Sequence, residues 1–194
     1  MNEHSAPDPD PGAATVSWEG RFFEDFVPGD RYRHPLGRTM LAADNTWFTL
    51  LTQNEAAIHV DADYASRTVW GRPLINSTLT LALVTGQSTH DISMNVMANL
   101  GWDRVRLPNP VFEGDTIASE SEVLATRPSA SRPDVGIVEV RTVGFNQHGA
   151  IVITFERTLL VYRRGHAPNR TLVEPIWDAR TRAAAGIPEP ESGH

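Results

Sequence analysis

The 194-residue sequence contains no cysteine, which excludes disulfide bonds, thiolate nucleophiles and cysteine metal ligands. It also lacks any run near the ~18 consecutive apolar residues that a membrane-spanning helix needs, so we expect no membrane partner. The first residues, MNEHSAPDPDPGAATVSW, have neither a basic region nor an apolar core, and we expect no signal peptide there. Together these absences favour a cytoplasmic protein.

Basic residues are fewer than acidic ones, and this deficit bears on possible partners. Lys and Arg total 17 against 24 Asp and Glu, which gives a formal net charge of −7. Nucleic-acid-binding surfaces are basic, and no basic run or aromatic-basic stripe occurs, so we exclude nucleic acid as a partner. An anionic small molecule would need a local basic patch.

Proline, glycine and acidic residues collect at the two ends of the chain. Residues 1–17 include the run Asp-Pro-Asp-Pro-Gly, which resists helix and strand alike and predicts a disordered N-terminal tail. Residues 165–194 return to a similar composition and are predicted to form a C-terminal extension, in which residues 172–177 could dock as an arm and the rest is loose. Residues 18–164 have the length of one domain.

The middle of the chain alternates helical and strand patterns. Leu79, Leu81 and their neighbours are apolar nearly all round, which predicts a helix from Asn76 to about Asp91 that is buried on every side. Asn76, Ser77 or Thr78 would be its N-cap. Predicted strands cover residues 31–40, 100–107, 116–126, 138–142 and 151–162, with a hairpin turn at 146–149. This layout predicts an α+β fold in which a curved sheet wraps a central helix.

A second helix is predicted just before the residues most suited to chemistry. Trp47, Leu50 and Leu51 recur at i, i+3 and i+4, which predicts that these three form its buried face. Asp44 or a neighbour could cap its start.

Polarity changes abruptly after this helix. Gln53-Asn54-Glu55 would lie where the helix leaves the core, His59 follows in the loop beyond, and Asp61 could cap a further short helix. A rigid helix end can hold an amide or a carboxylate opposite an imidazole. The same residues would equally suit a frayed helix end followed by a histidine that donates to a backbone carbonyl.

This segment resembles the active-site motif of the MaoC-like hydratases, the R-specific enoyl-CoA hydratase family. The family motif reads Gly-Asp-x-Asn-Pro-(Ile/Leu/Val)-His, where this chain reads Gln53-Asn54-Glu55-Ala56-Ala57-Ile58-His59. Asn54 therefore stands at the aspartate position. Three further family-like segments follow the family's order: Phe23-Glu24-Asp25-Phe26 with Pro28-Gly29-Asp30, Gly71-Arg72-Pro73-Leu74, and Val111-Phe112-Glu113-Gly114-Asp115. The resemblance spans about residues 22–164.

The resemblance implies a hot-dog fold, in which a long antiparallel sheet wraps the central helix, and a homodimer or a larger assembly of dimers. It also implies a hydro-lyase that adds water reversibly to the double bond of a 2-enoyl-CoA. The acyl chain would be short and branched or dicarboxylic, such as mesaconyl. We expect no cofactor apart from CoA as part of the substrate, and no metal, because no histidine and carboxylate spacing of the zinc type occurs.

Hydration requires a base that activates water and donors that stabilise an enolate oxygen. His59 is the predicted base, since imidazole can take and return a proton near neutral pH. By resemblance, backbone N–H groups at the start of the central helix, at Asn76, Ser77 and Thr78, would bind the thioester oxygen, and a helix N-terminus favours such a developing charge.

Asn54 is predicted as a second catalytic residue, although an amide cannot act as a general base. It could orient a water for His59, or fix the tautomer of His59. Alternatively, a carboxylate of Glu55, Asp61 or Asp44 could be the base, or the site could bind a thioester without hydrating it. Two other functions therefore stay open, a non-catalytic acyl-CoA-binding protein and an acyl-CoA thioesterase. Arginines that could meet CoA phosphates or a substrate carboxylate are Arg67, Arg72, Arg104 and Arg106.

Overall fold

The computed structural model describes residues 18–169 and 176–188. Its helices are α1 (Ala42–Thr52), α2 (Ala57–Val60), α3 (Ala62–Ser66), α4 (Ser77–Gln87) and α5 (Ala179–Ala185). Its strands are β1 (Arg31–Arg33), β2 (Arg38–Thr39), β3 (Val96–Arg106), β4 (Thr116–Pro128), β5 (Val135–Phe145) and β6 (Ile151–Tyr162). The predicted disordered tail, residues 1–17, and most of the predicted arm, residues 172–177, lie outside the described residues.

Elements from β1 to β6 belong to one compact unit, Glu19–Ala167. Residues 176–188 fall outside this unit, and they contain α5 where loose chain was expected. Asp178 caps α5 by accepting from Thr181 N at 2.7 Å, and Gly186 ends it in the left-handed conformation. Within the described ranges, no helix has the length and hydropathy needed to cross a membrane.

The four long strands and the short β1 form an antiparallel sheet in the order β1-β4-β5-β6-β3, and β2 also pairs with β4. The turn predicted between β5 and β6 is confirmed: Asn146 Oδ1 accepts from His148 N and Ala150 N, both at 3.0 Å. The strand predicted over residues 31–40 is instead two short strands. Pro35, which has no N–H to donate, and Gly37 lie between them.

Helix α4 packs across the sheet against β4 and β5. Val84 is fully buried, and a Cβ on Gly144 of β5 would lie only 2.7 Å from its Cγ2, so the missing side chain at Gly144 allows this close packing. The prediction that this helix is buried on every side is wrong for the single chain, because Ala82 and Gly86 are exposed. Only one face of α4 contacts the sheet, and the apolar composition of a helix does not by itself indicate how many of its faces are packed against other elements.

Helix α1 buries the face opposite to the one predicted. Trp47, Leu50 and Leu51 are 68%, 68% and 78% exposed, whereas Asn45 and Thr49 are buried. On the inward face of α1, Asn45 meets backbone groups of His59, Leu74 and Asn76, which require a hydrogen-bonding side chain rather than an apolar one. The apolar triplet therefore lies on the outside of this unit.

A buried polar cluster lies next to the C-terminal end of α4. His34 Nδ1 is 3.0 Å from Asp91 Oδ2, and its Nε2 is 2.9 Å from Ser121 Oγ. Burial lowers the pKa of His34, although Asp91 opposes this. Nearby Arg157 is 2% exposed and donates to Ser88 Oγ at 2.6 Å, and burial lowers its pKa to about 10.

Candidate active site

His59 lies in the short helix α2 rather than in a loop, and it is half-buried. Its ring Nδ1 is 2.9 Å from the carbonyl oxygen of Leu74. Because a carbonyl can only accept, Nδ1 must carry the proton, and in the neutral ring Nε2 keeps its lone pair. The carbonyl contact is thus the ordinary structural role considered from the sequence, and it leaves His59 in the tautomer that a general base needs.

A cavity of about 310 Å³ opens beside His59. Its wall is formed mainly by three separate parts of the chain, the start of α1, the end of α2 and the loop before α4, and it is completed by Ala62 and Glu113. The lining residues are Ala42, Asn45, Thr46, His59, Val60, Ala62, Arg72, Pro73, Ile75 and Glu113. Its volume lies at the lower end of the range for small-molecule sites.

Asn54 lines a neighbouring cavity of about 470 Å³, not the one beside His59. Its backbone follows Gln53, which ends α1 in the left-handed conformation at φ 55°. Its side-chain Oδ1 accepts from Ala56 N at 3.1 Å, and the part of the chain that is described shows no hydrogen bond between Asn54 and His59. The partner of Nδ1 is Leu74, so Asn54 does not set the tautomer. The two cavities share Thr46 and Val60, which makes them adjacent.

Helix α4 begins as predicted, with Asn76 confirmed as its N-cap. Asn76 Oδ1 accepts from Thr78 N at 3.0 Å and from Thr78 Oγ1 at 2.6 Å. The N–H groups of Ser77 and Leu79 have no acceptor among the described residues, as helix geometry leads one to expect. Ser77 and Thr78 are exposed and line neither of the two cavities; Ile75, directly before the cap, reaches the cavity of His59. Substrate binding by Asn76, Ser77 and Thr78 therefore stays a prediction.

The three carboxylates considered as alternative bases differ in their contacts. Asp44 accepts from Leu41 N at 3.0 Å and pairs with Arg38, and Asp61 caps α3 by accepting from Tyr64 N at 2.9 Å. Both therefore have structural roles. Glu55 is exposed and lines the cavity of Asn54.

Glu113 was quoted from the sequence only as part of a motif, yet it lines the cavity of His59. One of its carboxylate oxygens lies 3.3 Å from Ala42 N, at the start of α1.

Only one of the four candidate arginines lines either of these cavities. Arg72 stands at the cavity of His59, with its guanidinium carbon 3.9 Å from the centre of the Phe112 ring. The others have partners elsewhere: Arg67 pairs with Asp63, Arg104 pairs with Glu156 at 2.6 Å, and Arg106 donates to Val105 O. Within the described residues, no group of three histidine or carboxylate side chains could hold a metal ion.

Asn45 was missed by the sequence reasoning, although it lies at the centre of this site. Its Nδ2 donates to His59 O at 2.7 Å and to Leu74 O at 3.0 Å, and its Oδ1 accepts from Asn76 N at 2.8 Å. The only signal in the sequence was a polar residue two positions before Trp47 on the predicted helix, and it does not indicate burial.

Comparison with known proteins shows which family this chain resembles. A family model described as mesaconyl-CoA hydratase matches residues 12–183. A mesaconyl-CoA hydratase from Cereibacter sphaeroides is 32% identical over 148 residues, which cover 76% of this chain and 43% of that protein. The chain spans about half the length of the first curated relatives it matches.

Two solved structures support the fold. The MaoC-like dehydratase from Rhodospirillum rubrum is similar with a TM-score of 0.66 and 28% identity, over 75% of this chain and 99% of that one. A Mycobacterium tuberculosis protein described as a double hotdog fold has a TM-score of 0.69 at 22% identity, over 92% of this chain and 54% of that one. The expected hot-dog fold and the expected family resemblance are both confirmed.

Proposed function

The chain belongs to the mesaconyl-CoA hydratase family of MaoC-like proteins, and we propose that it adds water reversibly to the double bond of a 2-enoyl-CoA thioester. The observation that carries this proposal is the contact from His59 Nδ1 to Leu74 O at 2.9 Å. It leaves Nε2 as an unprotonated base at a half-buried position on the wall of a cavity.

In the proposed reaction, His59 Nε2 takes a proton from a water molecule while the water oxygen bonds to the β-carbon of the substrate. The electron pair of the double bond moves toward the thioester, whose oxygen becomes an enolate. The N–H groups of Ser77 and Leu79, at the positive end of α4, would stabilise that oxygen. Protonation of the α-carbon by the imidazolium completes the addition and restores neutral His59.

Asn54 would orient the attacking water rather than His59 itself. Its cavity adjoins that of His59 through Thr46 and Val60, and its Oδ1 accepts from Ala56 N at 3.1 Å. A water bridge could join the two side chains across this boundary.

For the acyl chain we propose a short dicarboxylic unit such as mesaconyl. A carboxylate at the far end of such a chain needs a cation, and Arg72 supplies one on the wall of the same cavity. A related protein is named mesaconyl-CoA hydratase, which agrees with this choice. CoA would enter only as part of the substrate, with no separate cofactor.

A second function, acyl-CoA binding without catalysis, is favoured by one observation. Asn54 replaces the family's aspartate and makes no hydrogen bond to His59 in the described structure. No feature of the site singles out the third alternative, thioester hydrolysis, so that reaction enters only as an outcome of the test.

The test offers the purified protein crotonyl-CoA, mesaconyl-CoA and longer enoyl-CoAs. Loss of enoyl absorbance without thiol release identifies a hydratase, thiol release identifies a thioesterase, and binding without either identifies a carrier. We expect hydration, and we expect His59→Gln to abolish it while circular dichroism shows a folded protein. Activity of His59→Gln within a few-fold of wild type would move the chemistry elsewhere.

Asn54→Ala should lower kcat on the order of a hundredfold if this residue orients water, because a misplaced reactant costs about that much. Asn54→Asp should retain or raise activity, since it restores the family's pair. A fully active Asn54→Ala variant would remove the proposed role, and Glu55→Gln would then test the remaining nearby carboxylate.

We also propose that the protein forms a homodimer or a larger assembly. Support comes from the exposed apolar face of α1, made of Trp47, Leu50 and Leu51, and from edge strand β3, where Leu100 and Trp102 are exposed. Unpaired edge strands and apolar patches commonly lie against other chains. The cytoplasmic location expected from the sequence stays a prediction.

A further inference from the structure

Asn45 connects the three parts of the candidate site through one side chain. It lies in the first turn and a half of α1, is 3% exposed, and uses both N–H groups of its amide. One reaches the carbonyl of His59 at 2.7 Å and the other the carbonyl of Leu74 at 3.0 Å. Its oxygen accepts the backbone N–H of Asn76 at 2.8 Å. These partners also fix which way the amide is oriented, since only its nitrogen can donate to carbonyls.

The carbonyl of Leu74 receives two donors at once. His59 Nδ1 lies at 2.9 Å and Asn45 Nδ2 at 3.0 Å, and a carbonyl oxygen has two lone pairs to accept them. Asn45 therefore holds the acceptor that sets the tautomer of His59, and it holds the backbone of His59 as well. A change at Asn45 would alter the position of the ring relative to its acceptor.

The same amide also fixes the start of α4. Asn76 N would otherwise be a buried donor at a helix end, and Asn45 Oδ1 satisfies it. The proposed base and the helix end that carries the proposed oxyanion donors are thus tied to one point on α1, although His59 and Asn76 lie 14 and 31 residues away along the chain.

We propose that Asn45 is a positioning residue for hydration: it keeps His59 in the Nδ1–H tautomer and sets the distance between His59 and the N-terminus of α4. This inference rests on the proposed function. Asn45 acts through His59 and Asn76, and it has no part in proton transfer.

The substitution Asn45→Asp separates positioning from simple packing. It keeps the size of the side chain and the acceptor for Asn76 N, but it removes both donors and places a carboxylate against two carbonyl oxygens. Asn45→Ala removes all three hydrogen bonds. Thr49→Val is the matched control, because Thr49 is buried on the same face of α1 and, among the described residues, its hydroxyl bonds only to Thr46 O at 2.8 Å.

The experiment reads the tautomer directly, by long-range ¹H–¹⁵N correlation spectra of protein labelled with ¹⁵N-histidine at pH 8. The signal of His59 is assigned by its loss in His59→Gln. Wild type and Thr49→Val should show His59 protonated at Nδ1. Asn45→Asp and Asn45→Ala should show a large fraction protonated at Nε2, and their kcat should fall about a hundredfold with a smaller change in KM.

Two results would overturn this inference. One is a wild-type His59 that carries its proton on Nε2, which needs no variant and applies even if neither Asn45 variant folds. The other is a folded Asn45 variant whose His59 tautomer matches wild type. Both outcomes can be distinguished from failure of the proposed function. The tautomer of His59 can be measured even in a protein that has no hydratase activity. If the enzyme is active but the Asn45 variants leave the tautomer unchanged, only the role of Asn45 is refuted.

Discussion

Replacing Arg72 with a neutral residue should reduce the preference for a substrate whose acyl chain carries a free carboxylate. Arg72 lines the cavity of His59, stacks on Phe112 at 3.9 Å, and makes no ion pair among the described residues, whereas Arg67 on the adjacent helix end is paired with Asp63. Its guanidinium is therefore available to a substrate anion, and the ring beneath it limits its motion.

The expected loss follows from the strength of one charged contact. A hydrogen bond to a charged group contributes ~1.5–3 kcal/mol. Arg72 is exposed, which places its contact at the weaker end of that range, since solvent screens it. A loss of ~1.4 kcal/mol corresponds to a tenfold change in an equilibrium or rate constant. We therefore expect Arg72→Gln to lower kcat/KM for mesaconyl-CoA by about tenfold.

The assay compares mesaconyl-CoA with 2-methylcrotonyl-CoA, in which a methyl group replaces the carboxylate, and follows loss of enoyl absorbance. Arg72→Gln should affect mesaconyl-CoA alone, Arg72→Lys should lose less, and the control Arg67→Gln should affect neither substrate. Equal losses with both substrates would show that Arg72 meets the CoA phosphates instead. No loss with either substrate would refute any role for Arg72 in binding.

Two predictions concern the whole molecule. Light scattering at micromolar concentration should give the mass of a dimer or more, and Trp47→Arg, which charges the exposed apolar face of α1, should lower that mass if this face is buried in the assembly. The free energy of unfolding should fall as the pH drops from 7 to 5, measured by urea titration, and His34→Gln should flatten this dependence. Burial lowers the pKa of His34, so the unfolded chain binds a proton at a higher pH than the folded one. The contribution of His34 to stability is therefore complete above the ordinary histidine pKa of ~6.5 and is lost as the pH falls below that value.

A strictly monomeric wild type would remove the proposed assembly. If the free energy of unfolding changes equally with pH in wild type and in His34→Gln, groups other than His34 cause the pH dependence. Asp91, Glu120 and Arg157 all face this histidine, and the hydrogen bonds from His34 and Arg21 lower the pKa of Asp91 despite its burial. Hydrogen bonds to cationic or imidazole partners lower the pKa values of both Asp91 and Glu120 despite their burial, which moves their titration away from this range.

The sequence by itself determined most of the long strands, the start of α4 and the residue that we propose as the base. Strand periodicity located β4, β5 and β6, because alternation of side chains between two faces is a local property of extended backbone. Asn76 was predicted as a cap for the same reason, since capping involves only the next few residues. His59 followed from its spacing within a motif.

Only the tertiary structure decided what these residues meet. Helical periodicity defines the faces of α1, but it cannot indicate which face has neighbours. Trp47 was therefore predicted to be buried, whereas it is exposed and Asn45 is buried. Asn45 gained its importance because three backbone groups from distant loops converge on it and need partners once water is excluded. Arg72 differs from the other arginines for a related reason. It lines the cavity of His59, and the sequence does not show which arginine lies beside a cavity, because cavities form only when the chain folds.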